Sequence, residues 1–201
     1  MGTRLNLDKC EWLGDSAERV RGDTGGRRGA TGEESAMDTK ESKIYQEFKD
    51  QCTRPVHEIF DEHGFAAFSA DQFEEGLRKL DLPKGVRVRR VGPGMFVDSR
   101  FVGDLYRAFD ASTKAMHDKV ATDREFARIA FLYEIENHEY LINYQGAWDV
   151  CNCFSGEELE WGESKGYRDY LKEAGYPDET ADAFAEALRQ HRKDAIENNW
   201  Y

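Results

Sequence analysis

No stretch of this 201-residue chain approaches the roughly 18 consecutive apolar residues that a membrane-crossing helix needs. Its start lacks the basic residues and apolar run of a signal peptide. The expectation is a cytoplasmic protein without a membrane segment. Cysteine is scarce. Cys10, Cys52, Cys151 and Cys153 are irregularly spaced, which argues against a disulfide framework and for reduced thiols. Signatures of catalysis are also missing. There is no Gly-x-Ser-x-Gly elbow and no dinucleotide fingerprint, and Gly92-Pro93-Gly94 lacks the Gly-Lys-Ser/Thr ending of a phosphate loop. Neither an internal repeat nor a heptad array is present.

What is present is charge and aromatic bulk. Charged residues make up 34% of the chain, yet twelve Phe, nine Tyr and four Trp suffice for a core. The net charge is −12, and it is uneven. Residues 1–36 hold six Lys/Arg against seven Asp/Glu, whereas residues 37–201 hold 22 against 33. Such a surface argues against direct binding of nucleic acid or anionic membrane, although plain solubility explains the same excess.

Residues 1–36 read as a disordered extension. They are rich in Gly, Arg, Ser and Thr, with too few large apolar residues to offset the entropy of ordering. Glu33-Glu34 can be encoded as a ribosome-binding sequence ahead of Met37, so Met37 is a candidate true start. Residues 37–201 are expected to form a single α+β domain, with helices packed on a small, mainly antiparallel sheet.

Spacing predicts the elements. Ile44, Phe48, Val56, Ile59 and Phe60 place a helix over Asp38 to His63, which Pro55 should bend or split. Phe65 to Phe68 suits a short strand. Ser69 and Gln72 form a capping box before a helix through Phe73, Leu77 and Leu80. Val86 to Val91 and Met95 to Val97 make a hairpin around Gly92-Pro93-Gly94. A helix starts at Asp98 or Ser99 and runs to about Val120. Asp123 caps the next, to about His138, although Phe131, Tyr133 and Ile135 also alternate as a strand would. A short strand is expected near Tyr140 to Tyr144, then short helices over Ala147 to Phe154 and Lys165 to Ala174. Between them Glu157 to Glu163 reads as an acidic loop. Asp178 caps the last helix, with Ala181, Phe184, Leu188, Ala195 and Ile196 facing inward.

Two stretches carry a resemblance. Gly64-Phe65-Ala66-Ala67-Phe68-Ser69 with Gln72-Phe73 and Gly76-Leu77 is one, and Tyr133-Glu134-Ile135 with Asn137-His138-Glu139-Tyr140 is the other. Together they resemble a family of small proteins of unknown function carried by phages, plasmids and integrative elements of Gram-positive bacteria. The resemblance spans roughly Phe65 to Phe154. It implies a genomic setting and no mechanism.

The candidate chemistry centres on Glu134, Asn137, His138 and Glu139. On a helix the first three share a face, and a carboxylate beside an imidazole can orient it for general base work. Glu134, His138 and Glu139 are therefore the candidate catalytic residues, with Asn137 and Tyr140 as binding residues. The competing reading is a helix C-cap, with His138 donating to carbonyls. Cys151 and Cys153 with His138 lack zinc-knuckle spacing and read as core filler, so neither a metal nor another cofactor is expected. Arg87, Arg89 and Arg90, near Lys84 and Arg100, form a positive patch that either binds a ligand or pairs with the protein's own acids. Residues 139–201 hold fourteen Asp/Glu against six Lys/Arg, which suits either a solvated face or a mimic of nucleic acid.

The absent catalytic signatures, the small size and the resemblance point to a non-catalytic accessory protein of a mobile element that binds another protein. A small hydrolase using His138 with Glu134 or Glu139, and an acidic nucleic-acid mimic, are the alternatives.

Overall fold

The computed structural model describes residues 40–200. The expected disordered extension, the candidate start at Met37 and Cys10 lie outside them. The described chain contains seven helices and a three-stranded antiparallel sheet, the α+β class expected. It divides into two compact units, Thr53–Ala111 and residues 40–52 with 112–200.

Helix α1, Lys40–His63, passes through both units without a break. Pro55 has no N–H to give the Gln51 carbonyl, yet of the two outcomes expected, a bend or a split, the split does not occur. Tyr45 is buried in one core and Val56 in the other, so packing holds the helix across its missing bond. The inward stripe runs through Ser42 and Tyr45, and Ile44, expected inside, is exposed. Helix α3, Val102–Thr122, also contributes to both cores, through Leu105 and Phe109 and then Met116 and Val120.

The Thr53–Ala111 unit holds the sheet. Strands β1 (Gly64–Ala66), β2 (Val88–Gly92) and β3 (Met95–Asp98) lie in the order β1-β3-β2, with Phe65 opposite Phe96 and Arg89 opposite Val97. A bulge between Arg90 and Gly92 breaks the alternation of β2 and turns Val91 into the core. Gly94, at φ 67°, makes the turn that a side chain would strain. Helix α2, Ala70–Leu80, starts as its capping residues dictate. Ser69 Oγ accepts from the Gln72 amide at 3.3 Å, and Gln72 Oε1 accepts from the Phe68 amide at 2.7 Å. The reciprocal bond thus reaches one residue further back than the usual box. Gly76 is the buried residue of α2, seated against the ring of Phe65.

The second unit is helical. Asp123 caps α4 (Arg124–Asn137), its Oδ1 accepting from the Phe126 amide at 3.0 Å. Helices α5 (Gly146–Asn152), α6 (Tyr167–Glu173) and α7 (Asp178–Glu197) follow. Helix α4 packs on α7 through Phe131 and Phe184, whose ring centroids lie 4.9 Å apart. Val150, Phe154, Tyr170 and Leu188 complete the core around them.

Two expectations fail here. Tyr140 to Tyr144 is a run of turns, not a strand: the Glu139 carbonyl accepts from the amides of both Ile142 and Asn143, and the Asn143 carbonyl from Gly146. These local bonds satisfy the backbone in a unit whose described residues contain no sheet to join. Ile196 is 80% exposed, and His191 takes the inward position beside Ala195. The inward set 184, 188, 191 and 195 advances by three and four residues, which leaves 196 about 100° off the stripe. No described helix is long and apolar enough to cross a membrane.

Candidate functional site

The last turn of α4 carries Glu134, Asn137 and His138 at the three- and four-residue spacing that places them on one face. Glu134 is the centre, with only 1% of its surface exposed. A buried carboxylate needs donors on every side, and this one has them. Oε1 accepts from the Tyr45 hydroxyl at 2.6 Å and from Lys49 Nζ at 3.2 Å. Oε2 accepts from Asn137 Nδ2 at 3.0 Å and lies 3.5 Å from His138 Nε2. Tyr45 and Lys49 stand four apart on α1, so both reach the same carboxylate.

Burial alone would raise the pKa of Glu134. The contacts with His138, Lys49, Tyr45 and Asn137 more than reverse that and hold it at about 2. Burial acts the other way on Lys49, lowering it, but the Glu134 charge outweighs this and leaves the ammonium above its ordinary value. Tyr45 is pushed up by burial and then by Glu134. The group therefore carries a carboxylate and an ammonium over the whole neutral range.

Cys153 completes the cluster. It sits at the C-cap of α5, with Sγ 3.2 Å from His138 Nε2 and 3.9 Å from Glu134 Oε2. The thiol also meets the Asp149 carbonyl at 3.3 Å. His138 is the C-cap of α4, as the capping alternative had it, but its Nε2 faces a carboxylate and a thiol and not carbonyl oxygens. Cys151 takes no part. It is fully buried, burial raises its thiol pKa, and its Sγ faces the Tyr167 carbonyl.

The remaining candidates lie elsewhere. Glu139 is exposed in the left-handed region at φ 49°, outside the groups gathered on Glu134. Tyr140 packs edge-on against Phe184 as part of the core wall. On the sheet of the other unit, Arg87, Arg89 and Arg90 are exposed and form no ion pair among the described residues, whereas Arg100 pairs with Asp98 at 2.6 Å. Arg90 Nε donates to the Gly92 carbonyl at 3.1 Å. Its side chain borders a depression with Ala67, Phe68, Ser69, Phe73 and Phe96. Phe68 is 75% exposed, its ring lying over Gly94.

Tyr45 and Lys49 are the members of the carboxylate cluster that spacing did not single out. Their signal was a polar pair four residues apart on the inward side of α1, which is legible only once a buried acid is known to need donors.

The fold and the cluster define an α+β protein built around a buried, fully partnered carboxylate with an imidazole and a thiol beside it. Residues 44–156, which include every member of that cluster, match a family of unknown function, DUF7659, and the chain belongs to it. It matches no curated protein and no solved structure.

Proposed function

We propose that this protein is a non-catalytic accessory protein that binds an acidic segment of a partner protein on the sheet of its Thr53–Ala111 unit. The observation that carries this is the depression beside Phe68 and Arg90. Phe68, 75% exposed, does not stand alone: it flanks an apolar floor of Phe73 and Phe96 with a guanidinium at the border. Arg90 stands opposite Phe96 and so on the face of the depression, whereas Arg89, opposite Val97, projects from the other face of the edge strand β2. The fit is an extended segment with an apolar side chain next to Asp or Glu, the guanidinium taking the carboxylate in a two-pronged contact. The resemblance to proteins of phages and other mobile elements supports an accessory role in such an element.

Hydrolysis through His138 is supported less well. That reading needs His138 free to take a proton from a substrate, and its Nε2 is engaged by Glu134 and Cys153. In a thiol–imidazole–acid relay, moreover, the acid and the thiol occupy opposite ring nitrogens, whereas Glu134 and Cys153 both lie at Nε2. Nor do the carboxylates near the C-terminus form an open stripe: Glu173, Asp182, Glu186 and Glu197 pair with Lys165, Arg168, Arg124 and Lys193. That lends the nucleic-acid mimic no support.

The test is selection of random peptides on the full chain. Enriched peptides should carry an apolar residue next to an acidic one, and Phe68→Ser and Arg90→Glu should each weaken them at least tenfold. Enriched peptides that bind both variants as tightly as the wild type would overturn the proposal, as would a selection that enriches none.

A further inference from the structure

The cluster on Glu134 has a feature that neither a salt bridge nor a helix cap requires. Three potential metal donors converge on one point. His138 Nε2 to Cys153 Sγ is 3.2 Å, His138 Nε2 to Glu134 Oε2 is 3.5 Å, and Cys153 Sγ to Glu134 Oε2 is 3.9 Å. All three donor atoms lie within 4.8 Å of one another. A tetrahedral zinc ion with bonds of about 2.3 Å to sulfur and about 2.0–2.1 Å to nitrogen and oxygen separates its ligand atoms by roughly 3.3–3.6 Å. The observed triangle brackets that range, and its edges form one face of such a tetrahedron.

The shared nitrogen is the telling detail. As hydrogen bonds alone, the Cys153 thiol gives its proton to the Asp149 carbonyl at 3.3 Å and an N–H at His138 Nε2 serves Glu134, with the sulfur only a close neighbour of that nitrogen at 3.2 Å. Replacing that proton by a cation satisfies nitrogen, sulfur and oxygen together, because each then presents a lone pair to the same centre.

The surroundings are those of a ligating carboxylate. Oε2 faces the triangle, while Oε1 is held from behind by Tyr45 and Lys49, and Asn137 fixes Oε2 from the side. Outer partners of this kind orient ligands and prevent the carboxylate from rotating. Glu134 and a Cys153 thiolate would neutralise a divalent charge, and the mixture of thiolate, imidazole and carboxylate favours zinc over magnesium or calcium, which take oxygen ligands.

We propose that Glu134, His138 and Cys153 bind one divalent ion of the zinc class, with a fourth position left to water or to a donor from another molecule. This site is independent of the peptide-binding depression, and either proposal can fail without the other. Binding releases the Cys153 proton, so affinity rises with pH.

The experiment uses the full chain, stripped with chelator and titrated with cobalt(II) and then zinc(II). One equivalent of cobalt should give a thiolate-to-metal charge-transfer band in the near ultraviolet, and zinc should displace it. Cys153→Ser should abolish the band, and His138→Gln should weaken zinc at least tenfold. Cys10→Ser, Cys52→Ser and Cys151→Ala should each keep the band, which separates this site from any other thiol. Zinc should also raise the melting temperature of the wild type but not of Cys153→Ser, a readout that needs no cobalt. Absence of the band in the folded wild type would overturn the proposal, as would a band that survives Cys153→Ser.

Discussion

The Tyr45 hydroxyl donates to Glu134 Oε1 at 2.6 Å across 89 residues of sequence, with both side chains buried. This bond ties the start of the described chain to the end of α4. It also stands on the same oxygen as Lys49, so the two donors share the work of keeping a charge inside. Tyr45→Phe removes one donor and leaves the carboxylate with the ammonium. Its expected cost is about 1–3 kcal/mol, the range for a hydrogen bond to a charged group. Glu134→Gln removes the charge that Tyr45, Lys49 and Asn137 are gathered on, and should cost more than Tyr45→Phe. Urea denaturation of the two variants and of the double variant checks this. The double variant should lose less than the sum, because the two groups act on one another; strict additivity would contradict the shared network.

The same carboxylate sets an acid limit on stability. Its pKa is about 2 in the fold against an ordinary value of 4.5. The unfolded chain therefore takes up the proton first as pH falls. The stabilisation is complete above pH 4.5 and is lost as pH falls from there towards 2. Each pH unit of that window carries about 1.4 kcal/mol, or roughly 3 kcal/mol across the whole of it. Chemical denaturation between about pH 6 and pH 2.5 should show a steeper loss in the wild type than in Glu134→Gln. Parallel curves would show that other carboxylates dominate.

Gly76 tests the packing of the sheet unit. A Cβ at this position would fall 2.1 Å from the Phe65 ring, and that ring is held between Phe73 and Phe96 at centroid distances of 5.6 and 5.5 Å. Moving that ring aside breaks its contacts with both neighbours. Gly76→Ala should therefore destabilise by about 1–3 kcal/mol, despite the better helix propensity of alanine. Thermal unfolding reads the change, and a stabilised variant would show that the ring yields.

Local features of the fold were legible because local chemistry sets them. Ser69 and Asp123 cap their helices through side-chain oxygens, and Gly92-Pro93-Gly94 turns the hairpin, all within a few residues of sequence. The failures lie where long-range packing decides. Ile44 and Tyr45 are neighbours, and it is packing on Phe126, Tyr133 and Phe154 together with the Glu134 carboxylate 89 residues away that selects the tyrosine for the interior. Ile196 was assigned inward on hydrophobicity, whereas the stripe of α7 passes through His191, a polar residue. At the candidate site the spacing of Glu134, Asn137 and His138 showed a shared face. It did not show that Cys153 would close the cluster while Cys151, two residues away, would face the core, because that depends on where α5 ends.

The two neighbouring cysteines make the most direct check on the arrangement. Cys151 is fully buried in the hydrophobic core, and burial holds its thiol well above the usual range, so it should resist alkylation for as long as the unit stays folded. Cys153 is half-buried, so its sulfur is open to a small reagent in the folded protein. Iodoacetamide at about pH 8 should therefore modify Cys153 first in the native protein and reach Cys151 only in denaturant, as read by peptide mass spectrometry. If zinc occupies the cluster it should protect Cys153 and leave Cys151 unaffected, so the labelling order with and without the ion bears on both the fold and the site.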